Sequence, residues 1–585
     1  MTKAKTRGDD MSDPTANEKI KIKVETVAEA YLELLALRGF EYFFGNPGTD
    51  FASIIDAFAH REKEGKLFPR PIAVPHEIVL MGMAHGYYQA TGKPQVVMVH
   101  VGVGAANAVG GLLAASRERI PVLFTAGRTP ITEEGSPGSR SRYIHWGQEY
   151  FDQAGMIREH LKWDYELRTP AQLESVVDRA LTAAMSEPRG PVYLMLPREV
   201  LCTPLEEIEV LPRFRYDLPT FYPDPIKIQK AADLLVKAEF PLIVTSSVGR
   251  NPEAVAGLRD LAEAGAIGIV SFNPEYMNFP TRHPCYLGFE AAPYLQETDL
   301  ILALDCDVPW YPNTAKPKNS AIVIQAGIDP LFLRYPIRSF PSDLTLHGDP
   351  ALVLSALREA VARHPARNDD AMRTRATRLG EVHTKLLLGW RKNAVGCAAD
   401  TPLDYEWVSY KVNEILRDDV IVVNELGIRP TQLERTQPGT YYGHPHAGFL
   451  GWSLGAALGI QLASPGKTVV ATVGDGAYMF SVPSACHAVA AAYQLPLLII
   501  VYNNRSWNQV KLATRSVHPQ GWAVRTNRFP MSSMPVSGQY EKFCEAFGGY
   551  GETVQAPEQL GPALDRALHA VTKEKRQALL NVICK

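Results

Sequence analysis

The sequence predicts an α/β protein made of three consecutive doubly wound parallel-sheet domains. Continuous apolar runs alternate with segments of helical periodicity along most of the chain. Such runs are typical of parallel strands that are covered on both faces. The alternation recurs in three blocks, which suits a chain of 585 residues at about 150 residues per domain.

Composition places the boundaries between these blocks. Residues 1–20 are polar and are predicted to form a disordered tail. Five prolines and little periodicity predict a linker after the first block, and a charged, helix-rich stretch predicts a second connector. The predicted domains are 21–200, 226–350 and 401–585, and the connecting segments are 203–225 and 351–395.

The individual elements follow from local patterns. Apolar residues at helical spacing from Val27 to Leu37 predict a helix that ends before Gly39. The apolar run 42–44 and the turn residues 45–49 predict a strand followed by a turn. The predicted buried strands are 96–101, 121–126, 192–196, 242–245, 267–271, 300–304, 322–325, 420–423, 469–473 and 497–502.

Charge and cysteine content exclude several classes of protein. Sixty basic and 63 acidic residues give a formal charge of −3, which argues against nucleic acid as a partner. No apolar run of about 18 residues is present, so no membrane partner is expected. The seven cysteines are scattered without a CxxC pair, and the first residues have no apolar core. A cytoplasmic location is therefore expected.

Two motifs follow neighbouring strands of the third block. Gly474-Asp475-Gly476 ends the strand 469–473, and Asn503-Asn504 ends the strand 497–502. Ligands of doubly wound sheets bind beyond the carboxyl ends of strands. The glycines allow backbone N–H groups to approach a diphosphate, and carboxylate and amide oxygens suit Mg²⁺. Two unrelated turns are the alternative interpretation.

With these motifs the sequence resembles the thiamine diphosphate (ThDP) enzymes, in the branch of acetolactate synthase, benzoylformate decarboxylase and pyruvate decarboxylase. The resemblance runs from about Val24 to the end and implies pyrimidine-binding, central and diphosphate-binding domains in that order. It implies ThDP and Mg²⁺ as cofactors, with cofactor contacts from Gly474, Asp475, Gly476 and Asn504. The implied metal ligands are Asp475, Asn504 and the carbonyl of Ser506. The spacing between the motifs is slightly longer than in the most similar members, so Asn503 stays an alternative to Asn504.

A second segment resembles the part of these enzymes that carries their catalytic glutamate. Here Pro75-His76-Glu77 precedes a helical segment. The resemblance implies that Glu77 binds the cofactor's pyrimidine ring and sets its proton transfer, which a carboxylate in an apolar cleft suits. A surface glutamate at a helix start is the alternative interpretation.

A third pair of positions resembles benzoylformate decarboxylase. The turn Gly45-Asn46-Pro47-Gly48-Thr49 implies that the Thr49 hydroxyl contacts the substrate, and His100 matches the active-site histidine. The ordinary pKa of histidine suits a proton relay, although a core histidine is the alternative. Acetolactate synthases carry other residues here, so His100 favours decarboxylase or lyase chemistry. Gln148 resembles a synthase glutamine near cofactor and substrate.

The resemblance implies further positions in the third domain. Leu450 matches the apolar residue that holds the cofactor in its bent shape, and Glu425 begins a loop at a cofactor-facing strand end. His444 and His446 either line the pocket or lie on a surface loop. Residues 505–518 match a lid near the pocket.

The central domain departs from the synthase pattern. Asp305-Cys306-Asp307 stands where the synthases carry Arg-Phe-Asp-Asp, which argues against bound FAD. Asp305 and Asp307 are expected to cap a strand end rather than to hold a metal ion.

Together these features predict ThDP- and Mg²⁺-dependent cleavage of a C–C bond next to a carbonyl, by non-oxidative decarboxylation of a 2-oxo acid and with carboligation as a further outcome. Pyruvate, branched and aryl acids all stay open as substrates. The alternatives are an acetolactate-synthase-type carboligase and an acyloin or 2-hydroxyacyl-CoA lyase. A non-catalytic ThDP-binding regulator is disfavoured because Glu77, Asp475 and Asn504 are all present. In the family pattern the cofactor lies between the first domain of one subunit and the third domain of its partner. The resemblance therefore implies a homodimer at least and a homotetramer as the usual state.

Overall fold

The computed structural model describes residues 18–214, 216–534 and 538–585. The chain forms two compact units. The first contains residues up to Ala84 together with Lys93–Leu218, and the second contains His85–Gly92 together with Pro219–Lys585. Among the helices of these residues, none is both long enough and apolar enough to cross a membrane.

The first unit contains one six-stranded sheet and one two-stranded ribbon. Its strands are β1 (Ile20–Lys23), β2 (Tyr42–Gly45), β3 (Arg70–Ala73), β4 (Gln95–Val99), β5 (Val122–Arg128), β6 (Asp164–Glu166), β7 (Val192–Pro197) and β8 (Glu207–Val210). Its helices are α1 (Val27–Leu37), α2 (Ala52–Lys63), α3 (Glu77–Thr91), α4 (Val101–Asn107), α5 (Val109–Arg117), α6 (Ile144–Gly147), α7 (Leu173–Met185) and α8 (Arg198–Leu201), of which α3 continues into the second unit.

Apolar strands form the centre of the first unit. The sheet order is β3-β2-β4-β5-β7-β6, and every neighbouring pair is parallel. All residues of β4 and β7 are buried, as expected for strands that are covered on both faces. Helix α1 buries Tyr31, Leu32 and Leu35 in the same core, and Thr26 caps its first turn by accepting from the Glu29 N–H at 3.3 Å. The parallel arrangement brings the carboxyl ends of all six strands to one edge.

The second unit contains a five-stranded and a six-stranded sheet. Its strands are β9 (Pro241–Thr245), β10 (Gly268–Ser271), β11 (Leu300–Leu304), β12 (Ile322–Gly327), β13 (Leu344–His347), β14 (Ile421–Glu425), β15 (Tyr441–Gly443), β16 (Val469–Gly474), β17 (Leu497–Asn503), β18 (Tyr550–Val554) and β19 (Ala578–Ile583). Its helices are α9 (Pro225–Lys237), α10 (Pro252–Gly265), α11 (Pro350–Ala362), α12 (Asp369–Gly396), α13 (Tyr405–Ile415), α14 (Trp452–Ala463), α15 (Asp475–Phe480), α16 (Pro483–Ala492), α17 (Asn508–Val517), α18 (Trp522–Arg525), α19 (Tyr540–Ala546) and α20 (Pro557–Thr572).

The two six-stranded sheets repeat one strand order. The order in the second unit is β15-β14-β16-β17-β19-β18, and counted along the chain both sheets read 2-1-3-4-6-5. The five-stranded sheet, β10-β9-β11-β12-β13, begins in the same way. All of these pairs are parallel, which confirms the predicted α/β class with three parallel sheets.

The local predictions hold for most elements and differ at three places. The strand predicted over 96–101 ends at Val99, so that His100 lies between β4 and α4. The segment 203–225, predicted as a linker, contains β8, which pairs antiparallel with β1. Ile20, predicted as part of the tail, is the first residue of β1, whereas tail residues 1–17 lie outside the described residues.

Candidate active site

One cavity of the first unit lies at the carboxyl edge of its sheet. Thr49 follows β2, His100 follows β4, Arg128 ends β5 and Arg198 follows β7, and all four residues line this cavity. These strands are consecutive neighbours in the sheet order. The sequence-predicted Thr49 and His100 are therefore brought together by sheet topology, at the edge where doubly wound sheets bind ligands.

His100 forms an ion pair with a buried aspartate. Its Nδ1 lies 2.5 Å from Oδ1 of Asp50, which is 2% exposed. A carboxylate only accepts hydrogen bonds, so Nδ1 carries the proton. The hydrogen bond to Asp50 raises the pKa of His100 above its ordinary value of 6.5, against the opposing effect of burial. Asp50 thereby orients the ring and stabilises its protonated form.

The second nitrogen of His100 contacts Gln148. Its Nε2 lies 3.2 Å from Nε2 of Gln148, and reversing the side-chain amide places its oxygen there as an acceptor for the protonated ring. This contact adds to the raised pKa of His100, as does the negative charge of Glu77. Gln148, predicted near cofactor and substrate, thus lies on the side of the ring that faces the cavity.

Two glycines make room for the Asp50–His100 pair. A Cβ atom on Gly48 would overlap the His100 ring, and a Cβ on Gly127 would overlap the Asp50 carboxylate. Neither position tolerates a side chain without moving the pair. The turn 45–49 is therefore needed for a close approach of the backbone as well as for its direction change.

Glu77 is the first residue of α3 and is 8% exposed. Its Oε2 accepts a hydrogen bond from the Asn107 amide at 2.6 Å. A carboxylate at a helix N-terminus is stabilised by the helix dipole. The other carboxylate oxygen of Glu77, Oε1, takes no part in the hydrogen bond with Asn107.

In the second unit, Asp475 and Asn504 each present a buried oxygen. Asp475 is 2% exposed, and burial raises the pKa of its carboxyl to about 6 although backbone N–H groups act in the opposite direction. Its Oδ1 accepts from the Gly476 N–H at 2.9 Å. Within the described residues, Oδ2 of Asp475 and Oδ1 of Asn504 are buried without a hydrogen-bond partner. Two such oxygens are suitable ligands for a hard cation.

The neighbouring side chains distinguish Asn504 from Asn503. The amide of Asn504 donates to the Tyr405 hydroxyl at 3.0 Å, which fixes the side chain with its oxygen unused. The Asn503 amide instead donates to Asn581 at 2.9 Å, and its oxygen accepts from the Arg505 N–H at 3.2 Å. The geometry therefore favours Asn504 as the metal ligand of the two. The Ser506 carbonyl already accepts from the Asn508 N–H at 2.9 Å, which leaves it one lone pair.

Gly474 ends β16 and Gly476 lies in the first turn of α15, next to Asp475. Glu425 ends β14 and is completely buried. Its two oxygens accept from the N–H groups of Gly451 and Ser453, both at 2.7 Å, at the start of α14. The contacts of Glu425 thus stabilise a helix start. Leu450, half-buried, directly precedes Gly451, the N-cap of this helix.

The two histidines before α14 differ in their contacts. His444 Nε2 lies 3.7 Å from Glu425 Oε1. His446 Nδ1 lies 3.0 Å from Asp307 and 3.2 Å from Glu275, and its Nε2 contacts the Asn273 carbonyl at 2.8 Å. Burial acts to raise the pKa of Asp307, but the contacts with His446 prevail and hold it below its ordinary value. His446 therefore binds residues that follow the strands of the five-stranded sheet, and it does not lie on a free surface loop.

Asp305 and Asp307 follow β11, the position expected of residues that cap a strand end. Asp307 accepts from the Tyr335 hydroxyl at 2.8 Å in addition to its contact with His446. The stretch 505–518, which resembled a lid, contains α17, and no residue of this helix is buried.

Asp50, Arg198 and Asn107 are among the residues of these sites that were not predicted from the sequence. Asp50 directly follows Thr49, and Arg198 lies two residues after the predicted strand 192–196, so their positions near strand ends were a usable signal. Asn107 lies at the last position of α4, and its contact with Glu77 depends on the approach of α4 to α3. No pattern in the sequence marks that approach.

Three family models match successive parts of the chain. The N-terminal TPP binding domain of thiamine pyrophosphate enzymes matches residues 25–156, the central domain matches 228–357, and the C-terminal TPP binding domain matches 429–582.

Similar proteins match nearly the whole chain. Benzoylformate decarboxylase of Pseudomonas aeruginosa is 26% identical over 574 residues, which cover 95% of this chain and 96% of the relative. The acetolactate synthase isozyme 3 large subunit of Escherichia coli (strain K12) is 24% identical over 565 residues, covering 94% and 93%. The solved structure of benzoylformate decarboxylase from Polynucleobacter necessarius shares the fold, with a TM-score of 0.77, 22% identity, and coverage of 96% of this chain and 99% of that one.

Proposed function

This chain belongs to the thiamine pyrophosphate enzymes, and we propose that it decarboxylates a small 2-oxo acid without oxidation, using ThDP and Mg²⁺. The observation that carries the proposal is the Asp50–His100 pair at the sheet edge of the first unit. A histidine that is oriented by a carboxylate and faces a cavity is suited to holding and delivering a proton.

The residues of the second unit fit the metal. Asp475 Oδ2 and Asn504 Oδ1 are buried oxygens that lack partners among the described residues, and such atoms are costly unless a ligand satisfies them. In the proposal these two atoms and the Ser506 carbonyl hold Mg²⁺, while Gly474 and Gly476 allow the diphosphate to approach the backbone. Leu450 and Glu425 belong to the same cofactor site, Glu425 by fixing the start of α14. Bound ThDP supplies a nucleophilic carbon and an electron sink.

In the first unit, three side chains handle protons and position the substrate. Glu77 holds the pyrimidine ring through its carboxylate, while Asn107 keeps that carboxylate in place. His100 delivers a proton from Nε2, and the Asp50 carboxylate compensates the positive charge of the protonated ring. The Thr49 hydroxyl, exposed at the cavity, orients the substrate.

The remaining parts of the proposal come from sequence patterns and from the family. From sequence patterns we propose the domain ranges 21–200, 226–350 and 401–585 and a cytoplasmic location. From the family we propose a homodimer as the smallest active form and a homotetramer as the usual one. FAD is not part of the proposal, because Asp305-Cys306-Asp307 stands where the synthases carry Arg-Phe-Asp-Asp.

The test is CO2 release from a panel of 2-oxo acids with added ThDP and Mg²⁺, with the organic product identified in the same reaction. CO2 together with a free aldehyde is the expected result. An acetohydroxy acid as product would instead support the synthase-type carboligase, which the 24% identical acetolactate synthase subunit keeps as the second candidate. Absence of CO2 from every acid would overturn the decarboxylase and direct the search to acyloin or 2-hydroxyacyl-CoA substrates.

A further inference from the structure

The cavity at the sheet edge of the first unit contains a cation that the proposed proton chemistry does not use. Arg128 and Arg198 both line the cavity beside His100, Gln148 and Thr49. Asp50 is the one carboxylate among the lining residues, and it is engaged by His100.

The two arginines differ in how their charge is compensated. Arg128 forms ion pairs with Glu149 at 2.7 Å and with Glu166 at 3.1 Å. Arg198 is half-buried, and in 18–214, 216–534 and 538–585 its guanidinium has neither an ion pair nor a hydrogen bond. The adjacent Glu199 is turned elsewhere, because its Oε1 accepts from the Thr132 N–H and hydroxyl at 2.9 and 3.0 Å.

The surrounding groups leave the cavity positively charged. His145 lines the same cavity and is buried; burial first, and then the charge of Arg198, lower its pKa, so this ring stays neutral near pH 7. Arg140 is paired with Glu149. The charge of Arg198 is therefore the one among these groups that lacks a neighbouring carboxylate, and a guanidinium matches planar anions through two parallel hydrogen bonds.

We propose that Arg198 binds a second anionic group of the substrate, so that the enzyme prefers 2-oxo acids that carry a further carboxylate or similar anion. This inference rests on the proposed function, because it assigns the substrate class of the same site. Arg198 follows β7, two strands along the sheet from β4, which His100 follows, so the anion-binding and proton-transfer groups stand apart along the carboxyl edge.

Electrostatics favours a second anion over the carboxylate that leaves as CO2. The leaving carboxylate loses its charge during the reaction, so an ion pair with it would be stronger in the ground state than in the transition state and would slow the reaction. A remote anion keeps its charge throughout. Its ion pair with Arg198 therefore contributes equally to both states, which changes KM and leaves kcat nearly constant.

The experiment compares the dianion 2-oxoglutarate with its nearly isosteric ω-amide 2-oxoglutaramate, a monoanion with an uncharged ω-group, as substrates of the ThDP- and Mg²⁺-loaded enzyme. We expect the wild type to prefer the dianion. Arg198→Gln should raise KM for 2-oxoglutarate by about tenfold to a hundredfold, the range expected for a charge-assisted contact, with little change for the amide. Arg198→Lys should restore part of the preference, and Arg179→Gln, at an exposed position on α7, should leave both substrates unchanged.

Three results would overturn the proposal: an equal loss on both substrates, a fall in kcat without a change in KM, or no effect of Arg198→Gln. Calorimetric binding of glutarate to the loaded enzyme provides a readout that does not depend on turnover. Suppose that glutarate binds to the wild type, that Arg198→Gln abolishes this binding, and that no 2-oxo acid releases CO2. The anion site at Arg198 is then supported, and the decarboxylase proposal fails. If glutarate does not bind and neither acid reacts, the anion site is rejected.

Discussion

The Asp50 carboxylate lies 2.5 Å from Nδ1 of His100, so protonation of the ring is coupled to that contact. Because the folded-state pKa of His100 is raised above 6.5, the pair stabilises the folded protein fully below that pH. This contribution is lost as the pH rises through the raised pKa. The neighbours that raise the pKa of His100 are Asp50, Gln148 and Glu77, while burial acts to lower this pKa.

Asp50→Asn is therefore predicted to lower the pKa of His100, since the amide lacks the charge that stabilises the imidazolium. An NMR titration of the histidine rings measures this directly. The loss of stability relative to wild type should be largest below pH 6.5 and should shrink at higher pH to a pH-independent part, because Asp50 Oδ2 also accepts from the Val101 N–H at 3.2 Å. Asp56→Asn, at an exposed position on α2, is the matched control. An unchanged or higher pKa of His100 in Asp50→Asn would contradict the assigned role.

Glu77→Gln is predicted to keep ThDP binding and to lower turnover by about a hundredfold or more, the usual size of a lost acid–base group. The amide fills the same volume next to Asn107 but does not take up or release a proton. CO2 release reports turnover, and calorimetry with ThDP and Mg²⁺ reports binding. Glu253→Gln, an exposed glutamate in the first turn of α10, serves as the control. Normal turnover in Glu77→Gln would remove Glu77 from the mechanism.

At single positions, the sequence proposes the residues that stand in recognisable motifs. Glu77, Asp475 and Asn504 are buried or carry buried oxygens, which suits the chemistry proposed for them. It did not predict Asp50 as the partner of His100, because that contact joins residues 50 positions apart through the pairing of β2 with β4. Long-range strand pairing is absent from local sequence patterns.

Helix α3 approaches α14 closely in the second unit. A Cβ on Gly86 would overlap the backbone carbonyl of Ala456, and the His85 ring packs edge-on against Trp452 with ring centres 5.5 Å apart. Backbone at the contact has little freedom to yield, so a methyl group at position 86 would force the two helices apart.

Gly86→Ala is predicted to destabilise the protein by about 1–3 kcal/mol, the usual cost of overpacking. Gly389→Ala is the control, because a Cβ on Gly389 in α12 meets open space, and it should be neutral or stabilising by up to about 1 kcal/mol. Urea unfolding of both variants measures the difference. Equal midpoints for the two would show that the α3–α14 contact adjusts without strain.

Elements with a strong local signal were predicted well, and elements with a weak one were not. Apolar runs predicted the buried strands to within two residues at their ends, since burial on both faces leaves few polar positions. Strands β1 and β8 have four residues each, with charged and apolar residues alternating. Such short strands are stable only through their partner, which no local pattern reveals.

At the scale of the whole molecule, the repeated strand order 2-1-3-4-6-5 relates the sheet that presents His100 to the sheet that presents Asp475. The sequence predicted three blocks of strands and helices but not this shared order, because the order depends on which strands pair across long distances. In both sheets, residues of the proposed sites lie at the carboxyl ends of the first, third and fourth strands; in the first sheet Glu77 also follows the second strand and Arg198 the sixth.

In the family pattern, each active site is built from residues of two subunits. This pattern predicts that two inactive variants restore activity when they form a mixed dimer. Glu77→Gln and Asp475→Asn should each be inactive alone, but after unfolding and refolding together they should recover about a quarter of wild-type activity if each site takes Glu77 from one subunit and Asp475 from the other. Half of the dimers are then mixed, and one of their two sites is intact. Mixing without refolding is the control. No recovery, with mixed dimers verified by native mass spectrometry, would refute a site shared between subunits.

The antiparallel ribbon of β1 and β8 affects the order in which the protein can be completed during synthesis. The Lys21 ammonium of β1 donates to the Glu207 carboxylate of β8, and these two residues are 186 positions apart in the sequence. At ribosomal speeds of 5–20 residues per second, β1 waits about 10 to 40 seconds for its partner strand to be made. During that interval its edge is open to other chains, and a holding chaperone acting on the nascent N-terminus would shorten the exposure. A nascent chain that stops before residue 207 keeps this edge unpaired, and the ribbon closes only after the whole six-stranded sheet has been translated.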